Sequence, residues 1–269
     1  MEQLEKKEFA PFGFFKRVKS MLTVDFRRLL TRPFFYLTVG ACVVIPILIL
    51  VMTTMMDGTV SVDPQTGKET VMEGFDNVWQ ILGSVSGAAM DMSLTGMCNI
   101  NMAYFFIAVL VCVFVADDFR SGYAKNLFTV RAKKGDYVLS KTVIGVFGSG
   151  CMLIAFFVGG MLGGAFSGLP FALDGVSVMN VVCCMLAKLA LVGVFVPIYV
   201  LMSVIAKQRS WLSLILSFGA GMLLFTMAPI ITPLNATFVN VILCVVGGVL
   251  FSVGLGVVSN LVLRKTSLV

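Results

Sequence analysis

The sequence predicts an all-α polytopic membrane protein with six transmembrane helices in a single transmembrane domain over residues 1–269. Three observations lead to this fold class. Only 13% of the residues are charged, about half the usual share of about 25% in soluble domains. Apolar runs of about eighteen residues or more recur along the chain, and they are continuous rather than alternating, which favours helices over a β-barrel. Lys and Arg are concentrated in alternate connecting segments.

Six apolar runs are long enough to cross a hydrocarbon core of about 30 Å at about 1.5 Å per residue. With the N-terminus inside, the inner segments hold 18 of the 20 Lys and Arg residues, which predicts that both termini are cytoplasmic. The net charge of +6 then reflects the membrane topology, and it also attracts the protein to anionic headgroups of the lipid bilayer. It is not evidence for nucleic-acid binding. The predicted spans are 34–56, 99–116, 138–166, 178–206, 211–231 and 239–263.

Residues 11–32 are predicted to form an amphipathic elbow helix in the plane of the membrane interface, before the first span. The polar side carries Lys16, Lys19, Thr23 and Arg27. Arg32-Pro33 ends this helix and allows the turn into the bilayer. Such a helix is either a plain membrane anchor or also a brace for a partner. Its apolar residues recur at spacings of three and four, which places them on one face: Phe15, Val18, Leu22, Phe26 and Leu29.

The segment 57–98 is predicted to form a small extracellular cap. Around "DPQTG", β-branched and polar residues alternate, which predicts a β-hairpin. The stretch "FDNVWQILGSVSGAAM" is predicted to be an interfacial helix that carries Trp79 at headgroup level. We interpret the cap as a structural lid, with ligand capture as the alternative.

The residue inventory excludes most catalytic chemistry. The chain has no His, so it lacks the commonest general base and a major metal ligand. The seven Cys residues show no paired spacing and are expected to be small packing residues. No phosphate-binding loop is present. We therefore predict no catalytic residue, no metal site and no cofactor on this chain, and no enzymatic activity of its own.

Lys188 is the one ionisable residue deep inside a predicted span, about ten residues from Val178. A charge at that depth costs at least about 2.5–3.5 kcal/mol, so its ammonium should face protein or water. Two interpretations remain open: a translocation-pathway residue for acidic or polar substrate groups, or a structural contact with the head of the side chain reaching a carbonyl or the interface.

Small residues at four-residue spacing predict close helix contacts. The third span carries the overlapping pairs Gly159/Gly163 and Gly160/Gly164, and the sixth carries Gly248, Ser252 and Gly256. Packing within one chain is the favoured interpretation, and a subunit interface is the alternative.

The segment 117–137 is predicted to be a cytoplasmic coupling loop. Asp117-Asp118 suit a helix start or a salt bridge, and Asp136 is expected to N-cap the third span. Aromatic and apolar residues between them recur at four-residue spacing and predict one apolar edge on a short helix: Phe119, Tyr123, Leu127 and Phe128. A projecting helix of this kind fits a groove on another protein. The alternative is a solvated basic loop that only enforces topology.

With this loop in place, nearly the whole chain resembles the ABC-2 type permease family, the membrane subunits of ATP-binding-cassette transporters. The shared features are a basic entry helix, six spans with both ends inside, and an acidic-x-x-x-Gly connector between spans two and three. The matching positions are Asp118, Gly122, "YAKNLF", Arg131 and Lys141. The family more often has Glu at the acidic position, so Asp118 departs from the pattern.

The resemblance implies a subunit that works as a dimer with a second permease chain, the same or homologous, on two ABC ATPase chains that hold ATP and Mg. It implies a multi-pass exporter in the bacterial cytoplasmic membrane. The apolar interior and the small outer loops favour an amphipathic substrate such as a peptide antibiotic, a drug or a lipid-like molecule. The alternatives are a secondary transporter or channel, and a non-transporting membrane immunity protein. The implied ATPase-coupling residues are Asp118, Phe119, Gly122, Tyr123, Asn126, Leu127 and Phe128.

Overall fold

A computed structural model describes residues 13–62, 69–85, 94–129, 133–173 and 175–265. Within these ranges the chain is helical except for one two-stranded sheet and the connecting turns and loops, so it is an α-helical polytopic membrane protein. The α-helices are α1 (Phe14–Thr31), α2 (Pro33–Met56), α3 (Leu94–Met97), α4 (Ala103–Arg120), α5 (Tyr123–Thr129), α6 (Lys134–Ser167), α7 (Val178–Ala206), α8 (Ser210–Phe225), α9 (Ala228–Ile231) and α10 (Phe238–Lys265).

Five helical segments of the described chain are long and apolar enough to cross a membrane. They are Pro33–Met56, Ile100–Arg120, Lys134–Ser167, Val178–Ala206 and Phe238–Lys265. The span predicted at 211–231 is divided instead between α8 and the four-residue α9. With 16 residues, α8 is about 24 Å long, somewhat less than the hydrocarbon thickness of about 30 Å.

The connector between α4 and α6 is shorter than the sequence predicts. Helix α4 continues to Arg120 rather than ending at Ala116, so Phe119 belongs to α4 and not to the connector helix. Asp136 does not N-cap α6, because that helix already begins at Lys134 and the Asp136 carboxylate accepts from Arg17 Nε at 2.9 Å. Arg131 lies outside the described residues.

Small residues on α6 let it pack closely against two neighbours. A Cβ at Gly159 would overlap the Val43 carbonyl oxygen of α2, and one at Gly163 would lie 2.8 Å from Ile47 Cα. On the adjacent face, a Cβ at Gly160 would lie 3.1 Å from the Ile81 side chain. The glycine pairs of α6 therefore serve packing within this chain, as the favoured interpretation predicts.

The segment after α2 forms a cap. Strands β1 (Val60–Val62) and β2 (Glu69–Val71) pair antiparallel, which confirms the two strands of the predicted hairpin, although its turn lies outside the described residues. In place of a long interfacial helix, the described part of the next segment contains a five-residue 3-10 helix, Val78–Leu82. Trp79 Nε1 in this helix donates to the Phe171 carbonyl at 3.1 Å.

The bundle has two distinct ends. We call the end that carries α1, α5 and the start of α6 the connector end. The last turn of α10 also lies there, because Lys134 Nζ donates to the Leu263 carbonyl at 2.6 Å. The opposite end, which carries β1, β2 and the 3-10 helix, is the cap end.

Candidate functional site

Four charged side chains meet at the connector end, and we call them the ionic cluster: Asp25, Arg28, Asp118 and Lys141. They come from α1, α4 and α6. The side chains of Asp25, Asp118 and Lys141 are fully buried, and that of Arg28 is 21% exposed. Ions removed from water are tolerated only when they are paired and hydrogen-bonded. The distances between these charges therefore determine whether their burial is compatible with the packing of the three helices.

Lys141 stands between the two carboxylates of the ionic cluster. Its Nζ lies 2.7 Å from Asp25 Oδ1 and 2.6 Å from Asp118 Oδ2. Arg28 Nη2 lies 2.8 Å from Asp118 Oδ1, and its Nη1 lies 3.6 Å from Asp25 Oδ1. Two positive and two negative charges therefore balance within one contact network.

Two neutral hydroxyl groups complete the carboxylate contacts. Ser140 Oγ donates to Asp25 Oδ2 at 2.7 Å, and the Tyr137 hydroxyl donates to Asp118 Oδ2 at 3.1 Å. Both donors belong to α6, next to Lys141 in the helix. One turn of α6 thus supplies the ammonium and both hydroxyl groups that hold α1 and α4.

Helix α5 rests on the ionic cluster through Tyr123. The Tyr123 ring centroid lies 3.9 Å from Arg28 Cζ, a cation–π contact. Burial raises the pKa of the Tyr123 phenol, so it stays neutral. Burial alone would lower the pKa of Arg28, but attraction to Asp118 and Asp25 raises it above its ordinary value.

The chain can turn sharply from α4 into α5 because Gly122 has φ +74°, a conformation that residues with a Cβ rarely adopt. This turn brings α5 back against α4 and α6. The Phe128 ring lies 5.4 Å from that of Tyr137, and Ala124 is buried. The outer side of α5 presents Lys125, Asn126 and Thr129 to solvent.

The residues predicted to couple to an ATPase differ in how far they are covered by this chain. Asp118 and Phe119 are buried, so within this chain they do not offer a surface to a partner. Asn126 is exposed. The remaining four are partly buried: Gly122, Tyr123, Leu127 and Phe128. Their coupling role remains a prediction.

Helix α1 turns only part of its predicted apolar face toward the bundle. Phe15 is 85% exposed and Phe26 is 37% exposed, and an interfacial helix would place such side chains against lipid. The residues that face the bundle are Val18, Met21, Asp25 and Leu29, with Leu22 half-buried and Arg27 exposed. Pattern analysis missed Asp25. Its signal was a carboxylate on the apolar side, three residues after Leu22 and four before Leu29.

Two further ion pairs fasten α1 and its C-terminal boundary. Arg17 Nε pairs with Asp136 on α6 at 2.9 Å, and Arg32 Nη2 pairs with Asp117 on α4 at 2.5 Å. The predicted salt-bridge role of Asp117 and Asp118 is therefore confirmed. Together with the ionic cluster, these pairs tie α1 to α4 and α6 along its length.

Lys188 forms a second buried polar site at the cap end. Its side chain is fully buried, and its Nζ donates to Asn101 Oδ1 at 2.7 Å and to Thr232 Oγ1 at 2.9 Å. Within the described part of the chain, no acidic side chain pairs with it. Lys188 therefore joins α7 to the 3-10 turn Ile100–Met102, which precedes α4, and to the segment after α9 through neutral oxygens.

The seven cysteines are free thiols, and the described residues contain no group of three His, Cys, Asp or Glu side chains that could hold a metal ion. Among the described residues, the fully buried charged side chains lie in the ionic cluster and at Lys188. Comparisons of the chain with protein-family models, with curated proteins and with solved structures find no match.

Proposed function

We propose that the chain is the permease subunit of an ABC transporter and that α5 is its coupling helix to a separate ATPase chain. The observation that supports this most directly is the construction of α5. Its outer side presents Lys125 and Asn126 to solvent, while Tyr123 on its inner side stacks on Arg28 of the ionic cluster. A short helix that is exposed on one side and fastened to the bundle on the other suits a docking element.

The ionic cluster gives such a helix a mechanical connection to the membrane. Asp25, Asp118 and Lys141 hold α1, α4 and α6 together through buried contacts of 2.6–2.7 Å. A displacement of α5 by the ATPase would move these helices as one body, because separating the charges would leave ions unpaired in a water-poor site. Rigid-body motion of packed helices is an established way to switch between two states.

The proposal includes the finer architecture. Helices α8 and α9 together form the fifth of six spans, and both termini are cytoplasmic. A second permease chain, the same or homologous, completes the pathway, and ATP and Mg are held by the ATPase chains. The substrate is an amphipathic molecule that is exported across a bacterial cytoplasmic membrane.

One observation favours a second candidate, a secondary transporter driven by an ion gradient. Lys188 is a buried ammonium with neutral partners only, Asn101 and Thr232. Intramembrane ionisable residues commonly mark ion or substrate pathways. In this alternative the charge state of Lys188 would change during transport, and no ATPase would be needed.

A co-purification experiment distinguishes the two. The full chain is purified from native membranes, and the ATPase subunit that accompanies it is reconstituted with it in proteoliposomes. We expect Asn126→Arg, on the outer side of α5, to release the ATPase and abolish ATP-driven transport. The matched control is Gln208→Arg, which adds the same charge at another exposed amide and should retain the ATPase. Transport by the chain alone, driven by an ion gradient without ATP, would contradict the ABC proposal and support the second candidate.

A further inference from the structure

A groove of about 630 Å³ lies between α1 and α6. Its volume falls within the range of about 300–1,000 Å³ that ligand sites occupy. The α1 side consists of two parallel stripes with a spacing of four residues. The apolar stripe consists of Leu22, Phe26 and Leu30. The polar stripe consists of Thr23, Arg27 and Thr31. The lining is thus amphipathic.

Arg27 differs from the other arginines in and beside α1. Arg17, Arg28 and Arg32 each pair with an aspartate of α4 or α6. Arg27 is exposed, lines the groove, and has no acidic partner among the described residues. The two threonines of the polar stripe donate to backbone carbonyls of their own helix. Arg27 is the one charged residue among those that line the groove.

The α6 side of the groove continues along the membrane. Val143 and Phe147 line the groove and are 44% and 42% exposed. Further along α6, Ile154, Val158 and Leu162 are also exposed. Their spacings of four and seven residues place all five on one helix face. A hydrocarbon chain that enters the groove can therefore follow one apolar face of α6 away from Arg27.

We propose that this groove is a binding site for an anionic diacyl phospholipid. One acyl chain fills the space beside Phe26 and Phe147 and follows the α6 face. The phosphate accepts hydrogen bonds from the Arg27 guanidinium, whose planar fork matches phosphate oxygens. The charge complementarity and the long apolar track together favour a lipid over a peptide or a free anion. This inference does not depend on the proposed transport function.

The test is native mass spectrometry of the full chain in detergent, titrated with palmitoyl-oleoyl phosphatidylglycerol or with the phosphatidylcholine of the same acyl chains. We expect a first phosphatidylglycerol to bind more tightly than phosphatidylcholine. Loss of one charge-assisted contact in Arg27→Gln should weaken phosphatidylglycerol binding about tenfold. Arg209→Gln, at an exposed arginine outside the groove, is the matched control and should leave the first binding step unchanged.

A second variant tests the contribution of the apolar groove lining to lipid binding. Val143→Trp fills the groove with a larger side chain at a half-exposed position, and it should weaken binding of both lipids while the protein mass stays that of the same oligomer. Equal binding of the two lipids by the wild-type chain would overturn the proposal. So would equal losses in Arg27→Gln and Arg209→Gln, which would indicate general surface charge. A change of oligomeric state in Val143→Trp without loss of lipid would overturn it in favour of an interface between copies.

Discussion

Lys141 Nζ lies 2.7 Å from Asp25 Oδ1, and this contact joins α6 to the helix that precedes the first long apolar helix. Both side chains are fully buried. The pair is further held by Asp118, Arg28 and Ser140. A buried charge is costly unless it is paired. Helix α1 can therefore bury Asp25 in this position only when α6 supplies Lys141.

Lys141→Met should strongly destabilise the protein. The substitution leaves Asp25 and Asp118 with Arg28 as their remaining cation, and breaking a buried ion pair by removing one partner costs about 3–5 kcal/mol. Thermal unfolding in detergent measures the effect. Lys125→Met makes the same chemical change at an exposed position of α5 and should alter the unfolding temperature little. Equal shifts in the two variants would show that the ionic cluster does not stabilise the fold.

The same pair can be examined by a double-mutant cycle. Asp25→Leu combined with Lys141→Met removes one charge of each sign, so the remaining Arg28 and Asp118 still balance. We expect the double variant to lose less stability than the sum of the two single variants, by about 0.5–3 kcal/mol. Strict additivity of the unfolding free energies would argue against direct coupling of Asp25 to Lys141.

Gly159→Ala should destabilise the contact between α2 and α6. The added Cβ would overlap the Val43 carbonyl oxygen, which is backbone and cannot rotate away. Overpacking of this kind costs about 1–3 kcal/mol. The control is Gly150→Ala on the same helix, where the nearest atom to the new Cβ, in the Leu189 side chain, is 4.0 Å away. The control should unfold at the wild-type temperature or above, since Ala favours helix over Gly.

Lys188→Met should be tolerated better than Asn101→Leu. Replacing the lysine removes a buried ammonium that has no acidic partner among the described residues, so the cost of its desolvation disappears. Replacing Asn101 instead takes an acceptor from that ammonium, which costs about 1–3 kcal/mol. Unfolding temperatures of the two variants in detergent give the order. If Lys188→Met proves the more damaging of the two, the ammonium stabilises the cap end by more than its two hydrogen bonds explain.

Tyr123→Ala with Phe128→Ala should loosen α5 as well as any contact beyond it. Both rings pack within this chain, Tyr123 on Arg28 and Phe128 on Tyr137. Hydrogen exchange of residues 123–129, followed by mass spectrometry, should be faster in the double variant. Asn126→Arg, on the exposed side, should leave the exchange rates unchanged. Faster exchange in both would mean that the outer side of α5 also contributes to its fold.

Much of the architecture follows from local sequence. The apolar runs predict the long helices, and the helix Val178–Ala206 begins and ends at the predicted residues. The glycine pairs of α6 predict close packing, because residues without a Cβ allow close approach whichever element packs against them. The Asp117-Asp118 pair predicts ion pairing, because two adjacent carboxylates at the end of an apolar helix favour cations nearby.

The sequence by itself determined where most of the long helices lie and which of their faces are apolar, since both depend on apolar runs and periodicity among neighbouring residues. Only the tertiary structure decided that α1 turns Asp25 rather than Phe15 and Phe26 toward the bundle, and that Lys188 meets Asn101. Asp25 is 116 positions from Lys141, and Lys188 is 87 from Asn101. Buried charges gain stability only from a specific partner. The identity of that partner depends on how distant helices pack, which no local pattern records.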